Sequence, residues 1–331
     1  MQLDSLLIVL SLGLLLIVTH FIYRQFRLGH FSSEYKKTLF ILKRYPLVKK
    51  AFSNSLHTPL FYPIKELEHT WTLEASHPLK TICTEMTPQG LAVSDDLVFL
   101  SAYCHGRQHY SVLYIFDKQQ ANLINTIPLP GRPHVGGLAF NKNKQELWVT
   151  ITGKKHGSAA AISLSDILTF PEKATFPIAY TKIYTFPGIS QASYISKWSD
   201  FLLAGTFERS KTGTLGLFPL NDETNNIPRF VSFLKKAQGV AIYKDHYCLV
   251  SQSFGPRSSK VFIFSKEQLL QGNLQENKAL KVIKFPPYLE QITVDDNFLY
   301  VVFESGASAY QKKTSPINNI LVLSIPQLLE K

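Results

Sequence analysis

An all-β domain held behind a single N-terminal hydrophobic helix is the architecture this sequence predicts. Three observations predict it: an uncharged apolar run at the start, a basic stretch behind it, and a unit of short alternating strands that recurs along the rest of the 331 residues.

The apolar run reads SLLIVLSLGLLLIVTHFIY from Ser5 to Tyr23 and contains no Asp, Glu, Lys or Arg. Its 19 residues, at ~1.5 Å of helical rise each, span ~28 Å, close to the thickness of a bilayer's hydrocarbon core. A cleaved signal peptide fits less well, because no basic segment precedes the run and no small-x-small site follows it. Residues 1–23 are therefore read as a transmembrane anchor, 24–63 as a basic juxtamembrane neck and 64–331 as the folded domain.

Charge is unevenly placed. Residues 1–50 carry eight Lys and Arg against Asp4 and Glu34, a surplus of +6 out of +11 for the chain. A nucleic-acid-binding globule would concentrate that charge on its folded part, so nucleic acid is excluded as a partner. Basic residues beside an apolar run suit anionic lipid headgroups, with a solvated linker as the plainer alternative. KKTLFILKRYPLVKKAF alternates basic and apolar residues and could lie on a membrane surface as a short helix, and Pro46, Pro59 and Pro63 stop any longer one. The positive-inside rule alone would place the domain in the cytoplasm. Short anchors ahead of one large β domain usually serve export, so the expectation is a single-pass cell-membrane protein with its domain on the extracytoplasmic side.

The repeat sets the fold. TICTEMTPQGLAV (81–93), PLPGRPHVGGLAF (128–140), IYTFPGISQASYI (183–195), FVSFLKKAQGVAI (230–242) and VIKFPPYLEQITV (282–294) align almost without gaps. With Gly90, Gly137, Ala192, Gly239 and Gln291 as equivalent marks, the intervals are 47, 55, 47 and 52 residues. After each mark comes an alternating apolar run, a turn rich in Asp, Asn and Lys, a second run such as LVFLSAY or FLYVVFES, and a third such as SVLYIFD or NNILVLS; a fourth closes most units. Period-2 runs of Val, Ile, Phe and Tyr bounded by turn residues are strands, and four strands per unit of this length make a propeller blade. Five blades are predicted, with a sixth built on WTLEA (71–75) as the alternative. The last unit has three strands, and 79–84 is expected to supply its fourth and so remove two open sheet edges.

The repeats, together with SFGPR (253–257) and ESGA (304–307), resemble the YVTN/NHL-like class of repeat propellers in a membrane-anchored bacterial form. The resemblance covers roughly 79–328 and implies architecture while saying little of activity.

In a propeller the residues entering the innermost strands ring one mouth of the central channel. Gln89, His134, Gln191, Gln238 and Glu290 should stand there, where amides and a carboxylate can hydrogen-bond sugar hydroxyls or a peptide backbone, or merely satisfy the channel's own polar groups. Arg107 and Arg257 hold equivalent places after the second strands of the first and fourth units and would suit a ligand carboxylate or phosphate, or cross-blade ion pairs with acids such as Glu208 and Glu304. Enzyme signatures are sparse: no GxSxG, HExxH, Walker or EF-hand spacing occurs. Two channel carboxylates, Glu290 and Glu304, are few for a glycosidase or a calcium-supported lactonase. Asp95-Asp96 and Asp295-Asp296 read as turn residues. Cys83, Cys104 and Cys248 form no CxxC or zinc spacing; they read as small buried hydrophobes, with a Cys83–Cys104 disulfide possible and no metal or cofactor expected. The resulting expectation is a non-catalytic domain that binds a protein or glycan through its channel face, the alternative being an extracytoplasmic hydrolase.

Overall fold

The computed structural model describes residues 11–19, 22, 32–76, 79–153, 155–220, 227–272, 274–312 and 315–330. Five four-stranded antiparallel sheets stand around one axis as the blades of a propeller. Blade 1 runs outward through Met86–Val93, Leu97–Cys104, Val112–Asp117 and Leu123–Pro128. Blade 2 has Leu138–Asn141, Glu146–Ile151, Ser158–Ser163 and Lys182–Thr185. Blade 3 has Tyr194–Trp198, Phe201–Gly205, Gly213–Pro219 and Arg229–Phe233. Blade 4 has Ala237–Tyr243, Tyr247–Phe254, Arg257–Ser265 and Lys281–Pro287. Each innermost strand lies against the next, and the fifth against the first, so the ring is closed.

Blade 5 consists of Leu289–Asp295, Phe298–Phe303 and Asn319–Ser324, with Phe61–Pro63 outermost. Phe61 pairs with Leu321 and Pro63 with Asn319. The last blade is thus completed from the N-terminal side of the chain, but by 61–63 and not by 79–84. Proline's missing N–H is harmless on an outermost strand, whose far side pairs with nothing in the sheet. Lys80–Cys83 pairs instead with Thr70–Leu73 in a two-stranded hairpin beside the outer strand of blade 1, which also disposes of a sixth blade from 71–75.

Apolar side chains fill every seam between blades. Val98, Leu100, Tyr114 and Val302 meet between blades 5 and 1, and Phe99, Leu113, Leu147 and Val149 between blades 1 and 2. Between blades 4 and 5 the cluster extends into two helices, Ser33–Leu42 and Pro46–Ser53, whose Leu42, Val48, Ala51 and Phe52 are fully buried. The stretch expected to form a neck therefore carries helices packed on the propeller from residue 33. Ser32 caps the first, its hydroxyl accepting from the Tyr35 N–H, and Pro46 opens the second where its missing N–H costs nothing. Fully burying one Leu, Val or Phe contributes about 1.5–3 kcal/mol, so these side chains hold both helices against the propeller.

Around the axis the inner strands touch through their smallest residues. A Cβ added to Gly137 would lie 2.4 Å from the Ile195 nitrogen and 2.8 Å from the Tyr194 Cα, and one on Gly90 would lie 2.8 Å from the Leu138 nitrogen. The residue equivalent to these glycines in blade 3 is consequently Tyr194, two places beyond Ala192. Hydroxyls on the second strands tie the ring together: Ser101 accepts from the Gly90 N–H at 2.9 Å and donates to the Val135 carbonyl at 2.7 Å, Thr150 accepts from the Gly137 N–H at 2.9 Å, and Ser251 donates to the Glu290 carbonyl at 2.9 Å.

Of the expected anchor, residues 11–19 and 22 are described, as helix; the rest of 5–23 lies outside the described residues. Among the described residues no helix is long and apolar enough to cross a membrane.

Candidate functional site

The channel is closed at its centre by one side chain. Gln291 occupies the position that is glycine in blades 1, 2 and 4, and its amide lies across the axis, 1 % exposed. Its oxygen accepts from the Leu91 and Leu138 N–H groups at 3.0 and 2.8 Å, and its nitrogen donates to the Leu138 and Ile195 carbonyls at 2.6 and 2.8 Å. One amide thus joins blades 1, 2, 3 and 5. On the far side of this plug a cavity of about 90 Å³ is lined by Phe140, Lys197, Ile242 and Val294 among others.

On the near side, three chains enter their inner strands through residues with left-handed backbone: Val135 (φ 51°), Lys236 (φ 55°) and Tyr288 (φ 60°). For non-glycine residues, above all a β-branched one, each such turn costs about 1–3 kcal/mol. Two of those turns lead to Gln238 and Glu290, which join Gln89 and Glu304 in a line of four hydrogen-bonded side chains. Gln89 donates to a Glu304 oxygen at 2.6 Å, Gln238 donates to a Glu290 oxygen at 2.7 Å, and the two carboxyl groups bond to each other. Glu290 is 3 % exposed and Glu304 only partly exposed. Burial raises both acids, and two carboxylates in contact cannot both ionise. Glu290 is held well above the usual carboxylate range by burial, then by the charge of Glu304 and by donating to it. Glu304 is pushed up to about 7 by burial, against the lowering effect of its bonds from Gln89 and Glu290. At neutral pH Glu290 is therefore protonated, while Glu304, at about 7, is divided between its protonated and ionised forms.

Aromatic rings surround the pair. The Tyr103 ring lies 4.4 Å from His134 and 6.2 Å from His105, while Tyr310 lies 4.8 Å from Tyr288 and 5.7 Å from His105. The Arg107 guanidinium sits 5.6 Å over Tyr103 and donates to the Arg132 carbonyl, as Arg132 does in return. Burial, with the charge of Arg107 adding to it, lowers His134 to about 4, so its imidazole is neutral. His134 Nδ1 and Gln252 Oε1 are buried without hydrogen-bond partners. Such atoms ask for a donor or acceptor that the protein itself does not supply.

Of the residues singled out from sequence, Gln89, Gln238, Glu290 and Glu304 are joined in one network, with His134 and Arg107 beside it. Gln191 is not in that line; it is exposed on a small cavity of about 190 Å³ that it shares with His134, because blade 3 enters its inner strand two residues later than the repeat suggests. Arg257 lies elsewhere, in a groove of about 900 Å³ with Lys43, Arg44 and Lys312, and so does not face Arg107. Neither arginine forms an ion pair with Glu208 or Glu304; Glu208 pairs with Lys211 at 3.6 Å. The axial role of Gln291 was legible only as one amide standing in a column of glycines. Tyr103, Tyr288, Tyr310 and Gln252 carried no signal beyond their places in strands and loops. Among the described residues, Cys83, Cys104 and His109 form a group able to hold a metal ion, and all three cysteines are free and buried.

Fold and site together define a closed five-bladed β-propeller with a plugged channel and one polar, aromatic mouth. No family model matches the chain, and no curated protein matches it in sequence. Solved structures resemble it in shape. It is similar to a PQQ-bound aldose sugar dehydrogenase from Streptomyces coelicolor (12% identity, 80% of this chain and 97% of that one, TM-score 0.48). It is also similar to hydrazine synthase from Kuenenia stuttgartiensis (10% identity, 66% of this chain, TM-score 0.40), of which it spans 55%. BamB from Moraxella catarrhalis is a third (12% identity, 71% of this chain and 59% of that one, TM-score 0.33). Likenesses this distant carry nothing for function, and the fold rests on the strand order itself.

Proposed function

We propose that this is a membrane-tethered, non-catalytic propeller of the YVTN/NHL-like kind that binds a protein or glycan partner through its channel mouth. The observation that carries the reading is Gln291: with the axis closed, a partner must lie across the mouth, where Tyr288, Tyr310, His105 and Arg107 offer stacking faces and donors. Aromatic and Arg side chains are those that dominate binding surfaces. Direct contact between Glu290 and Glu304 speaks against a glycosidase, whose two carboxyl groups stand about 5–9.5 Å apart to admit a sugar or a water. Membrane tethering is supported by the exposed Leu12, Leu14, Leu15, Leu16 and Ile17 of the N-terminal helix. It is supported also by the outward face of Ser33–Leu42, where Lys36, Lys37 and a 70 % exposed Phe40 stand beside Lys43. The domain lies on the extracytoplasmic side in this proposal.

The experiment places a photo-crosslinking residue at position 310 in intact cells. One defined adduct is expected, abolished by Arg107→Ala; external protease should digest the propeller in those cells. No adduct, or complete protection from protease, overturns the corresponding half of the proposal. A second reading, an extracytoplasmic hydrolase, is favoured by one feature: Glu304 at about 7 is poised for proton transfer at neutral pH. Turnover of a glycoside or lactone that disappears in Glu304→Gln would establish it in place of the first.

A further inference from the structure

The hairpin and the turn beside it bring three soft donors together. Cys83 ends the hairpin strand Lys80–Cys83 and is fully buried, and Cys104 ends the second strand of blade 1 at 2 % exposure. His109, five residues further on, is partly exposed. The two sulfurs and an imidazole nitrogen lie within 4.8 Å of one another, and Cys104 Sγ is 3.3 Å from His109 Nδ1. Donors bound ~2.0–2.3 Å from one ion stand about 3.5–4 Å apart in trigonal or tetrahedral arrangement, a change of at most about an ångström from what is seen.

The frame that holds them does not depend on an ion. The Ala75 N–H donates to the Gln108 carbonyl, the Tyr110 N–H to the Leu73 carbonyl, and the Thr72 hydroxyl to the Tyr110 carbonyl, all at 2.8–2.9 Å. The Glu85 N–H points at Cys83 Sγ at 3.5 Å, a contact of the kind that steadies a ligating thiolate. Met86 lies opposite Cys104 in the ladder and is buried in the same cluster, adding a third sulfur to the neighbourhood. The imidazole against one member of the cysteine pair completes a three-donor set for a metal.

We propose that Cys83, Cys104 and His109 bind one thiophilic metal ion of the Zn(II) or Cu(I) class. Thiolate and imidazole together select these ions over the hard, oxygen-seeking Mg(II) and Ca(II). Three donors complete a trigonal Cu(I) shell, whereas Zn(II) would keep a fourth position for water. The ion would fasten the hairpin, which belongs to no blade, to the ring.

The test uses full-length protein, reduced and metal-free under anaerobic conditions. It is titrated with Zn(II) and with Cu(I) against chromophoric chelators, and with Co(II), whose thiolate charge-transfer absorption reports sulfur ligation. One equivalent should bind, with that absorption and a raised melting temperature. Cys83→Ser and His109→Ala should each weaken binding at least tenfold, while Cys248→Ala, remote in the seam between blades 3 and 4, should not. If Cys83→Ser does not fold, His109→Gln, at a partly exposed position, carries the comparison. Absence of stoichiometric binding, or unchanged affinity in the His109 variant, overturns the proposal. Recovery of a Cys83–Cys104 disulfide from cells lysed into alkylating reagent would also overturn it, since an oxidised pair has no thiolate to give.

Discussion

The two ends of the channel are built from the same repeat and solve opposite problems. At the far end, turns of neighbouring blades close on one another through ion pairs and hydrogen bonds. Lys118 of blade 1 reaches Asp295 of blade 5 at 2.8 Å, Lys142 of blade 2 reaches Asp95 of blade 1 at 2.6 Å, and the Trp198 indole of blade 3 donates to Asp245 of blade 4 at 3.0 Å. At the near end the blades meet through a hydrogen-bonded carboxyl pair, left-handed entry residues and two buried polar atoms without partners. The far rim is tied mainly by charged pairs, with Glu146 Oε2 buried and unpartnered, while the near rim is tied by buried side-chain hydrogen bonds, with His134 Nδ1 and Gln252 Oε1 unpartnered.

The sharpest way to break the comparison is to remove what divides the two ends. Gln291→Ala strips partners from buried N–H and carbonyl groups on three blades at about 1–3 kcal/mol for each group left unsatisfied, so a loss of at least about 3 kcal/mol is expected in urea denaturation. A loss under 1 kcal/mol would mean that water replaces the amide and the axis is open.

Next in size is a pH effect confined to the near mouth. Between about pH 4.5 and 7 the folded protein keeps a proton on Glu304 that the unfolded chain releases, so this group's contribution to stability is complete at low pH and declines as pH rises through about 7. Glu290, raised further, acts in the same direction. His134, lowered to about 4, acts oppositely, stability rising with pH between about 4 and 6.5, so the wild-type curve alone is ambiguous. The difference between wild type and Glu304→Gln isolates Glu304: the variant should gain relative stability from about pH 4.5 to 7 and level off above that. Parallel curves would show that Glu304 is not raised.

Smaller effects belong to the far end. Asp295→Asn removes the partner of Lys118, whose side chains are 16 % and 28 % exposed in that pair, and should cost about 1 kcal/mol, salt-independent to a first approximation because the pair is partly shielded. Asp95→Asn breaks a pair 69 % and 63 % exposed, so it should change stability less than Asp295→Asn does, and any change should vanish in 0.5 M salt. If both far-end variants outweigh Gln291→Ala, the ring is held at its rim and the comparison fails.

The contrast between the ends was half legible in sequence. Asp95 and Asp295 announced turns, and Gln89, Gln238 and Glu290 announced a polar mouth, because strand alternation fixes which residues precede an inner strand. Two kinds of information were not there to read. Phe61–Pro63 is three residues long and bordered by prolines, so nothing local marks it as a strand; only the edge left open by Asn319–Ser324 makes it one. The apolar stripe of Leu42, Val48 and Phe52 specifies a helix with something to cover, yet lipid and the seam of blades 4 and 5 satisfy that pattern equally. Cys83 and Cys104 were read as buried residues or a disulfide and His109 was not singled out, because the hairpin's docking, and not sequence spacing, brings the three together.

The origin of the outermost strand of blade 5 also sets a timetable. Phe61–Pro63 leaves the ribosome early, and its partner Asn319–Ser324 emerges only after roughly 250 further residues, which at about 5–20 residues per second is a delay of roughly 12–50 s. Over that interval the blades made so far form an open arc, with blade 5 incomplete and the apolar faces of Val48 and Phe52 uncovered. A nascent chain stalled before residue 319 should therefore be chaperone-bound and protease-sensitive along its whole length, and release of the last dozen residues should convert it in a single step.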